Sequence, residues 1–253
     1  MRVAKVVCWS FAILLLVVLL AAAGLYVAVS WVPAEYRPAR LTAGEKELVS
    51  KVFVSRAAEF YNRSQEAQPF RWEETDEQLN RYLASMDEIV ADMPHRRAGE
   101  VKEVLDSAGV SDLAVAVRNG VLTVMFRSTA YNKIVSVDLG LDLTPQDSLQ
   151  VRLKGARVGR LPIPCSAVRE SLEKLKGTLR ERLSKWERTE ESAPSTRPGE
   201  LNSRGDIVNV LPAVLAAIDE APFPAEIPRW RLRVRQIDLT DGKMVLHFTP
   251  LPR

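Results

Sequence analysis

Four arginines, Arg229, Arg231, Arg233 and Arg235, alternate with Trp230, Leu232 and Val234 near the C-terminus. On a β-strand this spacing projects all four from one face at intervals of ~6.8 Å. A guanidinium offers a phosphate two donors at once, so Arg231 and Arg233 are candidate contacts for an anionic headgroup. The competing expectation is a solvated face, or charges that keep an edge strand from pairing with another molecule, with nearby acids neutralising the row. Arg152, Lys154, Arg157 and Arg160 make a second basic run earlier in the chain. The headgroup idea gains weight if the two runs are neighbours.

Other chemistry is sparse. The chain has 2 Cys and 2 His, which leaves little room for a Cys/His metal site, and neither His has a ligand partner at metal spacing. His95 lies in a polar turn, and His247 alternates with Met244, Leu246 and Phe248 and so points away from the face they line. There is no G-x-S-x-G elbow, P-loop, G-x-G-x-x-G turn or H-E-x-x-H. The adjacent pairs Glu73-Glu74 and Glu190-Glu191 read as solvated carboxylates. No catalytic residue, metal or cofactor is therefore assigned. Lys plus Arg number 35 against 32 Asp plus Glu, a formal charge of +3, which argues against nucleic acid as a partner.

The elements that carry these residues divide sharply. With 253 residues, 47% hydrophobic and 26% charged, the chain suits a globular body of one large or two small domains. Residues 6–30, however, form an apolar block with Ser10 and Ser30 as its polar residues and no charge. At ~1.5 Å per residue such a helix exceeds the ~30 Å hydrocarbon core of a bilayer. Trp9 and Trp31 stand about 22 residues and ~33 Å apart along it, one for each membrane interface, and Pro33 and Pro38 stop the helix. The expected organisation is a cytoplasmic tail over 1–5, a transmembrane helix over 6–30 and an extracytoplasmic α+β domain over 31–253. Arg2, Lys5 and the free amine favour leaving the N-terminus inside. The expected location is a bacterial cell (inner) membrane, crossed once, with the body on the extracytoplasmic side. A cleaved signal peptide is the alternative, because Ala21-Ala22-Ala23 and Ala28-Val29-Ser30 resemble cleavage sites.

Within the body, Thr42 and Glu45 fit a capping box opening a helix to about Tyr61. Pro69–Trp72 breaks that pattern. A second helix starts at Thr75 or Asp76, with Leu79, Tyr82, Leu83 and Met86 on one face, and a third covers Arg97–Ala108 and closes at Gly109. The period then changes to two. Asn119-Gly120 is a hairpin signal between Asp112–Arg118 and Val121–Arg127. Ile134–Leu143 alternates strictly, and a further strand runs from Leu149 to Leu161. Pro162-Ile163-Pro164 launches a long helix to Trp186, and a polar linker or long loop occupies 189–205. A helix at Ile207–Ile218, an extended Ala221–Pro228 and a hairpin turning at Asp241-Gly242 complete the chain. The fold expected is α+β: an N-terminal transmembrane helix followed by one antiparallel, curved β-sheet with a dry and a wet face, packed against amphipathic helices.

Val168, Leu172, Leu175 and Leu179 lie on one stripe of the long helix, and Val137, Leu139 and Leu141 line one face of a strand. A helix laid across a curved sheet can leave a gap for a lipid chain, so these seven residues are the candidate apolar lining. The same residues also suit an ordinary close-packed core.

Two motifs add a resemblance. Thr75-Asp76-Glu77-Gln78-Leu79-Asn80-Arg81-Tyr82-Leu83 resembles the T-x-x-E/Q-L-N-x-Y-L helix start of YpmS-like membrane-anchored bacterial proteins of unknown function. Val158-Gly159-Arg160-Leu161-Pro162-Ile163-Pro164 is similar to the G-x-L-P-x-P segment of the same group. The order of anchor, helix, antiparallel strands, P-x-P and helix is also similar. More distantly, the plan resembles tubular lipid-binding (TULIP-like) domains, which implies acyl chains held between helix and sheet. The resemblance brings no catalytic residues.

Three functions compete. The first is a non-catalytic, membrane-anchored protein that binds a lipid or other apolar ligand at the cell envelope. The second is a structural or assembly module whose partner is an envelope protein; it expects a filled core and an exposed apolar patch. The third, less favoured, is a hydrolase of envelope polymers, which requires a cleft with an acid/base pair of perturbed pKa.

Overall fold

The computed structural model describes residues 2–66, 68–91, 99–145, 147–166, 223–227 and 231–251. Helix α1 (Arg2–Ser30) is the apolar block. Its large side chains from Ile13 to Val27 are 51–67% exposed. Among the described residues, the 18-residue stretch Ile13–Ser30 is the one helix long and apolar enough to cross a membrane.

Helix α2 (Ala43–Gln65) opens with the expected capping box: the Glu45 N–H donates to Thr42 Oγ1, and Glu45 Oε2 accepts from the Thr42 N–H at 2.8 Å. That bonding, led by the backbone hydrogen bond, holds the Glu45 carboxyl below its ordinary pKa. The helix outlasts the sequence expectation by one turn.

Residues that break the helical pattern then form a strand rather than a simple turn. β1 (Phe70–Thr75) pairs with β10 (Lys243–Pro250), with Phe70 opposite Phe248. The cause is aromatic. Phe60 of α2 meets Phe70, Trp72 and Phe248 edge-on at centroid distances of 5.5, 5.1 and 5.1 Å, and Phe70 stacks on Phe248 at 5.2 Å. Alternation of Phe70 and Trp72 with Arg71 and Glu73 was the available signal.

Helix α3 (Asp76–Ala84) begins at a second capping box, Thr75 with Gln78. Its apolar stripe does not run on unbroken to Met86. The chain pauses at buried Ser85 and restarts as α4 (Met86–Ala91). α5 (Glu100–Ser107) ends at Gly109, whose φ of +71° lets the chain leave the helix in the left-handed region.

The strands form two antiparallel sheets among the described residues, where one was expected. The first runs β2 (Val110–Arg118), β3 (Val121–Ser128), β4 (Lys133–Leu143), β5 (Ser148–Val158), β6 (Leu161–Pro162), with β7 (Phe223–Pro224) also on β5. The expected strand to Leu161 thus breaks at Gly159-Arg160 into a tight return. The second sheet is β1-β10-β9-β8, with β8 (Glu226–Ile227) and β9 (Leu232–Thr240). The extended segment at 223–227 links them, since β7 pairs into one sheet and β8 into the other. Buried Ala225 lies between, donating to the Asp147 carbonyl and accepting from the Val234 N–H.

The two predicted hairpin tips also lock together. Gly120 N–H donates to Leu239 O at 3.2 Å, and Gly242 N–H donates to Val117 O at 2.8 Å. Asn119 and Gly120 both have positive φ, 51° and 72°, as the tight turn requires.

The six-stranded sheet is dry on one face and divided on the other, where a buried patch adjoins the ion pairs Arg157–Asp138 and Arg152–Asp142, so the expected wet face is wet only in part. Val137, Leu139, Val151 and Leu153 form the main cluster on one side. On the other, Tyr36 buries its ring beside Ala114, Ala116, Met125 and Ile134, and its hydroxyl donates to Asp112 O at 2.8 Å. Burial, with the Asp112 charge next in size, raises the Tyr36 pKa above its ordinary value, so the hydroxyl stays a donor. The exposed edge of β2 is closed by a side chain. Asn80 of α3 donates to Val115 O at 2.9 Å and accepts from Val115 N–H at 2.7 Å, standing in for a further strand.

Candidate functional site

The C-terminal end of α1 is docked on the six-stranded sheet. An α-helix leaves its last carbonyls without partners. Here the Arg160 N–H, from the return between β5 and β6, donates to the Ala28 carbonyl at 2.9 Å. The Lys133 ammonium, at the start of β4, donates to Ser30 Oγ at 2.6 Å and lies 4.7 Å from the Tyr26 ring centre. The Arg160 guanidinium stacks on Trp31 at 3.6 Å. Two cations thus meet the negative end of the helix dipole, where charge of that sign is favoured.

Gly159 makes the approach possible. Its φ is +59°, and a Cβ there would run into the Ala28 and Val29 carbonyl groups. Its own N–H donates to Ile134 O at 2.9 Å, tying the return to β4. Tyr36, six residues beyond Ser30, is already core. The helix therefore enters the body without a slack linker.

The sequence-level candidates distribute as follows. Val137 and Leu139 are buried in the main cluster, with Leu141, Leu122, Val124, Phe126 and Cys165 packed against it. Val168, Leu172, Leu175 and Leu179 lie outside the described residues, as do the 189–205 linker, the helix at 207–218, His95 and Arg229. The backbone of Trp9 lies within α1, and Trp31 caps the junction.

The arginine row is not one uninterrupted face. Arg231 precedes β9 with a φ of +51°. A bulge opposite His247/Phe248 gives β9 an extra residue at Arg235, so its apolar residues switch from Leu232 and Val234 to Ile237 and Leu239. Arg233 and Arg235 converge on Asp147, at 2.8 and 2.9 Å. Asp147 sits in the turn after β4, at the opposite end of that strand from Lys133, ~33 Å away along 11 residues. The second basic run lies in the other sheet. Arg157 pairs with Asp138 at 3.1 Å, Arg152 with Asp142 at 3.4 Å, and Lys154 drapes over Gly140. The two runs are not neighbouring strands.

A second feature escaped sequence reasoning. A groove of about 270 Å³ lies between α2 and β1, lined by Arg56, Glu59, Arg63, Arg71, Trp72, Glu73 and Gln78. Arg56 spans it: it donates to the Glu73 carbonyl at 2.9 Å, pairs with buried Glu74 at 3.0 Å and stacks on Trp72 at 4.1 Å. Glu73 accepts from Lys243 and Arg71, which hold its carboxyl below the ordinary range. Such a carboxylate is an ion-pair acceptor rather than a proton donor at neutral pH. Among the described residues no group of three or more His, Cys, Asp or Glu could hold a metal. His247 meets Asp238 at 3.0 Å, a pair joined only by strand pairing.

Fold and junction together define a class: an α+β protein of antiparallel sheets, two among the described residues, and packed helices, with an N-terminal helix able to cross a membrane. Comparison with family models, curated proteins and solved structures finds no match to this chain.

Proposed function

We propose that this protein is a single-pass membrane protein whose body is held at the extracytoplasmic face of a bacterial inner membrane as a non-catalytic interaction module. The N-terminus lies in the cytoplasm, and the partners are the bilayer and an envelope protein. The observation that carries this reading is the seat for α1. A signal peptide removed after residue 30 would take Ala28 and Ser30 away from Arg160 and Lys133. A retained anchor makes full use of both contacts. The interaction role draws on the closed cluster around Val137 and Leu139 and on Leu48, Val52, Val54 and Tyr61, which α2 leaves exposed.

The test is topological. A cysteine at Asp241→Cys, in a background with Cys8 and Cys165 replaced, reacts with an impermeant maleimide in intact spheroplasts, and the protein's own N-terminus still includes residues 1–30. Labelling only after lysis, or a mature chain beginning near Trp31, overturns the proposal.

A second reading is that the body holds a lipid or other apolar ligand, with Val137, Leu139, Leu141, Val168, Leu172, Leu175 and Leu179 as lining and Arg231 and Arg233 on its headgroup. One observation favours it: Cys165, at the head of the segment carrying Val168 to Leu179, packs on the Val137–Leu139 cluster. Full-length protein taken from native membranes and exchanged into lipid-free detergent would retain a stoichiometric lipid by mass spectrometry. Empty protein rejects this reading.

A further inference from the structure

We infer that the turn between β3 and β4, with Tyr131 at its tip and Lys133 and Arg160 beside it, is a second membrane contact that seats the body in the phospholipid headgroup layer where α1 leaves the bilayer. This rests on the anchored reading above and adds a surface to it.

Depth is the first argument. The Lys133 ammonium touches Ser30 and also faces the ring of Tyr26, a full turn or ~6 Å earlier in the helix. β4 therefore begins beside the last turn of α1, not beyond its end. The large α1 side chains remain lipid-accessible as far as Val27, and exposure falls at Ala28–Ser30. The turn at 129–132 is thus level with the boundary between lipid-facing and protein-facing helix, which is the headgroup layer of a bilayer that α1 spans.

Chemistry is the second. Tyr131 is 78% exposed, the most exposed large apolar side chain in the described body. Asn119-Gly120, at the other end of β3, and the β9–β10 turn Asp241-Gly242 are tied together by hydrogen bonds and carry no aromatic ring, whereas this turn leaves one in the open. An exposed tyrosine two residues from Lys133, at a junction that also holds Trp31 and Arg160, has the composition of a membrane interface: rings at the acyl boundary and cations at phosphate level. The occupant is a phospholipid leaflet, because the patch is continuous with the lipid-facing surface of α1.

The test uses the full-length chain in nanodiscs of phosphatidylcholine with phosphatidylglycerol, Cys8 and Cys165 replaced by Ala. Nitroxides are introduced singly by Leu19→Cys, Tyr131→Cys and Asp241→Cys, and each is probed for collision with oxygen and with a water-soluble nickel chelate. The expected result is oxygen dominant at 19, oxygen severalfold favoured at 131 relative to 241, and nickel dominant at 241. A deep label at 19 with 131 as wet as 241 overturns the second contact and leaves the anchor standing. A wet label at 19 removes the anchor itself. A label at 131 shielded from both reagents reveals a protein cover, another chain or a second copy, and also overturns the inference.

Discussion

The α-carbon of Gly159 lies so close to the Ala28 carbonyl that no side chain fits between them. The two residues come from distant parts of the sequence, one from the last turn of an apolar helix and the other from a strand return. Their contact converts a helix that could have been a loose tether into a fixed arm. It also assigns a physical role to one residue of the G-x-L-P-x-P motif.

Gly159→Ala adds a methyl against two carbonyl groups at a φ of +59°. The expected cost is about 1–3 kcal/mol, confined to the junction. Hydrogen exchange should show the Arg160 amide losing protection while the amide of Val115 keeps its own. Unchanged protection at Arg160 would refute the docking.

Asn80→Ala removes both bonds to the Val115 backbone and leaves its N–H and carbonyl without their side-chain partner at the β2 edge. A loss of about 2–3 kcal/mol is expected. Asn80→Asp, which keeps the acceptor for Val115 N–H but loses the donor to its carbonyl, should fall between the two. Urea midpoints for the three proteins test the order, and equal midpoints would contradict it.

Arg56→Met strips the partner from Glu74, whose side chain is only 9% exposed, and uncovers Trp72. Destabilisation of about 2–4 kcal/mol is expected, with much of it recovered by adding Glu74→Gln, because a stranded charge costs more than an absent pair. A double variant no better than the single one would show that Glu74 is not the cause.

Glu45 and Glu73 are held below their ordinary pKa by Thr42 and by Lys243 with Arg71, respectively. A depressed folded pKa stabilises the protein above the unfolded value, about 4.3 for glutamate, and that stability is lost as pH falls through the folded pKa. The stability gap between the native protein and a Glu45→Ala, Glu73→Ala variant should be full at pH 7 and shrink below pH ~4. A gap that widens in acid would reverse the assignment.

Much of the scaffold was legible in local chemistry. Thr42 with Glu45, Thr75 with Gln78, Asn119-Gly120 and Gly109 each act within a few residues, so their structures follow from neighbours alone. β1 was only faintly legible: the alternation in FRWEET is short, and Phe60 and Phe248, far apart in sequence, close around Phe70 and Trp72 to hold the strand. The bulge at Arg235 was equally hidden: an extra residue changes strand parity without altering composition.

The candidate site divides in the same way. The amino-acid order alone determined an apolar helix, its approximate ends and an α+β body of alternating strands, because side-chain periodicity and transfer from water are properties of short segments. Only the tertiary structure decided that Lys133, Gly159 and Arg160 would grip the end of that helix, that Asp147 would gather Arg233 and Arg235, and that the strands would divide into two sheets. Those outcomes depend on which distant backbone groups still lack a hydrogen-bond partner once the local elements have formed, and a one-dimensional pattern does not carry that information.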